Sequence, residues 1–367
     1  MQMRTGWSTF FATRTGIIVS GGITGLLAVF LQYMGNPGNM GLCVACFERD
    51  IAGALGLHHA PIVQYLRPEI LGLGLGAFFI ALFLGDFRAR GGSSPIIRFL
   101  LGIMAAIGAL VFLGCPWRAF LRLAGGDANA FAGILGLCVG IYVATLFFRR
   151  GFSLGRSKSL PKWSGFIFPF VLLALLGLRL VYPPLAGEAR SGFLWYSQSG
   201  PGSMYAPLGI ALGCALIIGA IAQRSRFCTM GALRDLFLFK QCHLFSGILA
   251  FAAAAFLGNV LLGQFHFGFE GQPVAHTDGL WNFGGMVLAG LAFAFAGGCP
   301  GRQLFMGGEG DVDAGIFAAG VLVGAAIAHV WGTASSGAGV GPHGPLAVGI
   351  GIVLCLLIGL FYSRQRS

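Results

Sequence analysis

Gly-Cys-Pro-x-Arg occurs twice in the chain, as Gly114-Cys115-Pro116-Trp117-Arg118 and Gly298-Cys299-Pro300-Gly301-Arg302, 184 residues apart. Proline is favoured at the first position of a helix, where its missing N–H leaves nothing unpaired. Cys115 and Cys299 are therefore expected to be N-caps, and Arg118 and Arg302, three residues on, to share a face with the thiol across the first turn. An anion held there would meet free backbone N–H groups, the positive end of a helix dipole, a guanidinium and a soft sulfur. Because a thiol is polarizable and a weak hydrogen-bond donor, it suits a sulfur or selenium species better than a hard oxygen anion. An accessible thiol at such a helix start is also activated for exchange or persulfide chemistry.

The duplication extends in both directions. Gly126-Asp127 and Gly310-Asp311 keep the same offset, and upstream Cys43 with Arg49-Asp50 answers Cys228 with Arg234-Asp235 at an offset of 185. Cys43 and Cys46 form a C-x-x-C, but Gly231 stands where the second cysteine would align, so Cys43 ranks as a path residue and Cys46 as a supporting one. No second C-x-x-C or histidine pair completes a metal set, and neither metal nor cofactor is expected. Arg49-Asp50 and Arg234-Asp235 read either as path residues or as self-neutralising pairs at a membrane boundary. Glu309 has no carboxylate opposite it, since Gly125 aligns there. It serves either proton coupling or the capping of a span that begins at Asp313. Cys138, Cys214 and Cys355 read as packing residues. The seven histidines show no ligand spacing, and His329 alone falls within an apolar run.

The elements that must position these residues are membrane helices. The chain is 56% hydrophobic and 10% charged, against roughly 25% charged in a soluble domain. Apolar runs near the 20 or so residues that cross a bilayer occur at 15–34, 69–87, 97–113, 129–148, 165–184, 205–223, 244–263, 282–297, 313–332 and 345–363, giving about ten spans. The first run, with Arg4 and Arg14 before it, lacks a small-x-small cleavage site and reads as a span. Four shorter segments near 44–57, 116–124, 229–241 and 300–308 start at the cysteine motifs and read as re-entrant helices. The net charge of +11 is spread between apolar runs, so nucleic acid is not an expected partner.

With the N-terminus placed in the cytoplasm, loops on that side carry 17 of the Lys and Arg residues and loops on the other side five, namely Arg49, Arg67, Arg118, Arg122 and Arg190, with Arg179 inside a span. The positive-inside rule then places both termini in the cytoplasm. The expected organisation is a first membrane repeat at 1–148, a basic linker with a connecting helix at 149–204, a second repeat at 205–332 and a C-terminal helix at 333–367. An odd shift of five spans turns the two repeats upside down relative to each other, the inverted layout of many transporters.

Arg226-Phe227-Cys228 with Arg234-Asp235, and Gly297-Gly298-Cys299-Pro300-Gly301-Arg302-Gln303 running into Gly307-Gly308-Glu309-Gly310, resemble the YeeE/YedE family of sulfur-transport membrane proteins, with the form closest to the YedE branch associated with selenium metabolism. The resemblance implies long helices plus short broken ones meeting at the membrane centre. It also implies a central path, here Cys43, Cys115, Cys228 and Cys299, whose thiols pass a thiosulfate-like anion inward. Arg118 and Arg302 are additions to the family pattern and leave a different sulfur or selenium anion open.

The function expected is therefore import of a small selenium- or sulfur-containing anion across a bacterial inner membrane, by a transporter and not an enzyme. A cytoplasmic sulfur- or selenium-carrier protein is left open as a partner. Two rivals stand beside this reading. One is a membrane thiol-disulfide oxidoreductase that cycles Cys43 and Cys46. The other is a scaffold that docks a selenium-handling enzyme on the linker 149–164.

Overall fold

A computed structural model describes residues 10–364; Arg4 and Arg366, counted above among the basic loop residues, lie outside them. Fourteen α-helices follow in order among the described residues: α1 (Arg14–Tyr33), α2 (Val44–Ala54), α3 (Pro68–Phe83), α4 (Pro95–Phe112), α5 (Pro116–Ala124), α6 (Ala130–Arg149), α7 (Lys162–Val181), α8 (Leu208–Ser225), α9 (Thr229–Phe239), α10 (His243–Leu261), α11 (Gly279–Ala296), α12 (Pro300–Gly308), α13 (Val312–Val330) and α14 (Gly344–Arg364). The described strands are two-residue pieces forming two small antiparallel pairs, Arg90–Gly91 with Lys158–Ser159 and Arg190–Ser191 with Leu194–Trp195. The chain is an all-α polytopic membrane protein.

The helix boundaries follow from local sequence. Proline opens α3, α4, α5 and α12, as its locked φ allows at a first turn. Thr13, Asp278 and Asp311 cap α1, α11 and α13 by accepting the N–H three residues on. The four short helices α2, α5, α9 and α12 all begin immediately after Cys43, Cys115, Cys228 and Cys299.

Nine helices among the described residues, some of them counted with the short helix that continues them, are long and apolar enough to cross a membrane. The second of the ten expected spans is shorter than its apolar run. Helix α3 has 16 residues, which rise about 24 Å against a hydrocarbon core of about 30 Å. It starts at Pro68 because Arg67 is held by ion pairing outside the helix. It stops where Gly85, at φ +70°, turns the chain so that the Asp86 and Phe87 N–H groups bond the Ala81 carbonyl.

Packing relates the two halves. Helix α1 lies along α10 and α3 along α8; α4 lies along α13 and α6 along α11; α4 and α11 meet each other. When the two sets of cysteine motifs are aligned, α1 corresponds to α8, α3 to α10, α4 to α11 and α6 to α13, and each partnership maps onto another. The short helices follow the same exchange: α12 packs on α3 and α5 on α10, while α2 packs on α13 and α9 on α6. Close approach needs small residues. A side chain at Gly21 or Gly25 of α1 would run into the backbone of Gly247 or Phe251 on α10. Helices α7 and α14 present most of their surface outward, as lipid-facing helices do.

Candidate functional site

Each half brings two helix N-termini together around a pair of sulfurs. In the first, Cys43 Sγ accepts the N–H of Cys46 at 3.4 Å and the N–H of Cys115 at 3.4 Å. Cys115 Sγ in turn lies beside the amides of Arg118 and Val44. In the second, Cys228 Sγ accepts the N–H of Gly231 at 3.3 Å and stands 3.7 Å from Cys299 Sγ, with the Cys299 amide beside it. The sulfur of Cys299 lies beside the amides of Arg302 and Thr229. Each sulfur thus sits near an amide of its own short helix and one from the helix facing it. All four cysteines are buried free thiols. A helix N-terminus carries roughly half a positive charge. Two such ends facing each other form an interior environment that favours an anion.

The geometry breaks α4 and α11 just before their cysteines. Leu113, at φ +63°, ends α4, and Gly297, at φ +84°, ends α11. For leucine the left-handed conformation costs about 1–2 kcal/mol, and two arginines of α5 stabilise the broken end. Arg118 Nη1 donates to the Leu113 carbonyl, and Arg122 Nη1 to the Phe112 carbonyl at 2.7 Å. These satisfy acceptors that a helix C-terminus otherwise leaves unpaired.

Arg118 is fully buried. Beyond Leu113 it donates to the carbonyls of Asn39 at 3.2 Å and of Pro273 and Val274, both at 3.1 Å, and it lies 3.9 Å from Cys46 Sγ. No carboxylate pairs with it among the described residues. Arg302 sits differently. The broken end of α11 is held instead by Arg98 and Gln303, which both donate to the Ala296 carbonyl, at 2.7 and 3.1 Å. Arg302 Nη1 is left to Glu309 Oε1 at 3.4 Å. Glu309 also receives Arg90 at 3.2 Å, and Arg90 reaches Asp311 at 2.8 Å. The same arginine motif is therefore committed to a helix end in one half and to a carboxylate in the other.

The paired charges also differ between copies. Asp50 lies between Arg49 and Arg67, at 2.7 Å from each, with all three inaccessible to solvent. Arg67 stacks on Phe47 and Tyr65 and donates to the carbonyls of Pro201 and Met204. Arg234–Asp235 is a partly exposed pair at 2.8 Å. The two Gly-Asp motifs tie the halves together. Gly125 and Gly126 carbonyls accept from His266 and Gly268, while Glu309 and Gly310 carbonyls accept from Arg88 and Arg90. Asp127 holds buried Arg122 at 2.6 Å.

Two expectations need correcting. The cap of α13 is Asp311, which accepts from the Ala314 N–H; Asp313 instead accepts from the N–H groups of Gly92 and Ser93 and the Ser93 hydroxyl. Glu309, which points to Arg90 and Arg302, is not that cap either. Of the five basic residues counted in loops opposite the basic side, Arg49, Arg67, Arg118 and Arg122 are buried inside the protein, so the charge asymmetry of the loops is larger than the count. His329 stacks on His58 with ring centroids 4.5 Å apart, and His58 Nε2 meets the Arg49 carbonyl at 3.0 Å. Cys138, Cys214 and Cys355 lie apart from the thiol pairs, in the helix packing.

Trp117, Arg67 and Arg122 were not singled out by their types and spacing. A signal existed for the first: tryptophan follows one Cys-Pro where glycine follows the other.

A broken-helix membrane core carrying paired interior thiols defines the class, a multi-pass membrane protein with an anion-favouring centre. Residues 224–361 match the family model described as sulphur transport, in the half whose motifs carry the YeeE/YedE resemblance. The match covers α9 to α13 and most of α14, together with Cys228, Cys299, Arg302 and Glu309. It speaks to sulphur transport and not to selenium. No curated protein matches the chain.

Proposed function

We propose that the chain imports a small selenium- or sulfur-containing anion, selenite-like or thiosulfate-like, through a path lined by Cys43, Cys115, Cys228 and Cys299. The observation that carries the reading is the double pairing of sulfurs at facing helix N-termini. Amides and dipoles there favour negative charge without fixing it to a lysine or arginine from which it could not leave, and the soft thiols prefer a chalcogen terminus. Arg118 supplies buried positive charge with no carboxylate beside it, and Arg302 supplies a guanidinium whose carboxylate can be exchanged for the passing anion.

The two halves are read as inverted repeats in a bacterial inner membrane with both termini in the cytoplasm. The exchange of helix partners and the basic loops on one side support this. Entry of an anion works against an inside-negative potential by about 2.3 kcal/mol per charge per 100 mV, so accumulation requires a coupling ion or trapping by a cytoplasmic acceptor, for which a sulfur- or selenium-carrier protein is suited. A selenium cargo rests on the motif form and on thiol softness.

The 3.7 Å separation of Cys228 and Cys299 sulfurs favours one second reading, a thiol-disulfide oxidoreductase. Alkylation separates the two. Transport predicts that all nine cysteines are reduced in purified protein, that exposed Cys242 reacts first, and that thiosulfate slows labelling of Cys228 and Cys299. A mobility shift that appears only after reduction, with no protection by thiosulfate, supports the oxidoreductase.

A further inference from the structure

Trp117 reaches from the cysteine motif of one half to that of the other. It follows Cys115-Pro116 on α5, is 1% exposed, and packs against Phe227, Phe251 and Phe305 with ring centroids 5.7, 6.3 and 6.0 Å away. Phe227 immediately precedes Cys228, and Phe305 lies on α12, the helix that Cys299 caps. The position equivalent to Trp117 in the second motif is Gly301. A side chain begun at Gly301 would meet Trp117 Cζ2, Cη2 and Cε2 at 3.0, 3.2 and 3.4 Å. The indole therefore occupies the space that a residue at 301 would need, and the two motifs can hold only one large side chain between them.

The same ring carries an unsatisfied donor. Trp117 Nε1 is buried and has no hydrogen-bond partner among the described residues. Cε2, one of the three atoms nearest Gly301, is the carbon bonded to Nε1, so this N–H lies close to the first turn of α12, the helix that starts after Cys299. A buried donor without an acceptor is costly, and buried indole N–H groups ordinarily find one.

We infer that Trp117 is a specificity-determining residue of the transport path: its ring closes the passage between the two thiol pairs, and its unpaired N–H donates a hydrogen bond to the anion as it moves from Cys43 and Cys115 to Cys228 and Cys299. This rests on the transport reading and adds to it a single selecting group. The flat apolar ring excludes hydrated ions, and the lone N–H gives a desolvated anion one directional contact. No bond is made or broken in the step. The cargo class is a small anion able to shed its water, with an oxygen or chalcogen acceptor for the indole.

The test uses purified full-length protein in liposomes, with radiolabelled thiosulfate and sulfate as probes. The proteins compared are wild type, Trp117→Phe, Trp117→Ala and Gly301→Ala, with Cys299→Ala as control. Trp117→Phe keeps an aromatic ring and removes the N–H; since a hydrogen bond to a charged group is involved, thiosulfate uptake is expected to fall about tenfold or more. Trp117→Ala opens the passage and lets sulfate enter beside thiosulfate. Gly301→Ala presses a methyl group on the indole without touching a donor and slows thiosulfate uptake, which keeps the inference open to test even if the Trp117 variants do not fold. In wild-type protein the difference emission assigned to Trp117, taken against Trp117→Phe, shifts when thiosulfate is added. Unchanged uptake in both Trp117→Phe and Gly301→Ala overturns the inference while leaving the thiol path intact. Wild-type uptake in Cys299→Ala removes the path reading itself.

Discussion

Cys228 and Cys299, 71 residues apart in sequence, place their sulfurs 3.7 Å from each other at the starts of two short helices. Cys43 and Cys115, 72 residues apart, meet in the same way through a sulfur and an amide. The relationship explains why four short helices begin where they do. Each cysteine is at once the cap of its own helix and a neighbour to the free amides of another.

Asp50 and Asp235 stand at equivalent places in the two motifs and should respond very differently to the same change. Asp50→Asn leaves Arg49 and Arg67 buried without their shared carboxylate, and removing one partner of a buried ion pair costs about 3–5 kcal/mol. Asp235→Asn breaks a partly exposed pair, worth about 1 kcal/mol or less. Thermal unfolding of the two variants in detergent measures the difference; equal melting temperatures would show that the Asp50 cluster is not held as described.

Helix α1 can approach α10 only because both Gly21 and Gly25 lack side chains. Gly25→Val forces the helices apart against the Phe251 backbone, and overpacking of this kind costs about 1–3 kcal/mol. Gly22, one residue after Gly21, has open space around it, and Gly22→Val should leave stability nearly unchanged. Yield of monodisperse protein after mild heating reads both.

Glu309 occupies the guanidinium that the second motif leaves available. Glu309→Gln removes its charge from Arg302 and Arg90 together. The expected result is a lower KM for the anion with a lower maximal rate, because the anion then binds Arg302 without a carboxylate competing to release it. Initial rates across a concentration series separate the two parameters. A raised KM with an unchanged rate would mean that Glu309 organises the site without competing for it.

Much of the fold was legible from local pattern. The Cys-Pro dipeptides predicted the starts of α5 and α12, and the apolar runs predicted the long helices, since both depend on residues close in sequence. The early end of α3 was not legible from the apolar run, because that run continues to Phe87 and only the N–H groups of Asp86 and Phe87 reaching the Ala81 carbonyl show the turn at Gly85. The split between Arg118 and Arg302 was hidden for a similar reason. Which of them caps a broken helix depends on Arg98 and Gln303 reaching Ala296, and no spacing within the motif records that. That Trp117 follows one Cys-Pro where Gly301 follows the other is visible in the sequence, but the contact of its ring with position 301 is not. Asp311 and Asp313 are both plausible caps by type; only the direction of each carboxylate, one to Ala314 and the other to Gly92 and Ser93, decides between them.

The central claim is that a chalcogen anion crosses by way of the interior thiols, and its most direct test is uptake of radiolabelled thiosulfate and selenite into liposomes holding wild-type protein or Cys299→Ala. The account predicts uptake of at least one of these anions by wild type and loss of that uptake in the variant, with the preferred anion identifying the cargo. Uptake that is equal in the two proteins, or absent from correctly inserted wild type for both anions, would contradict it.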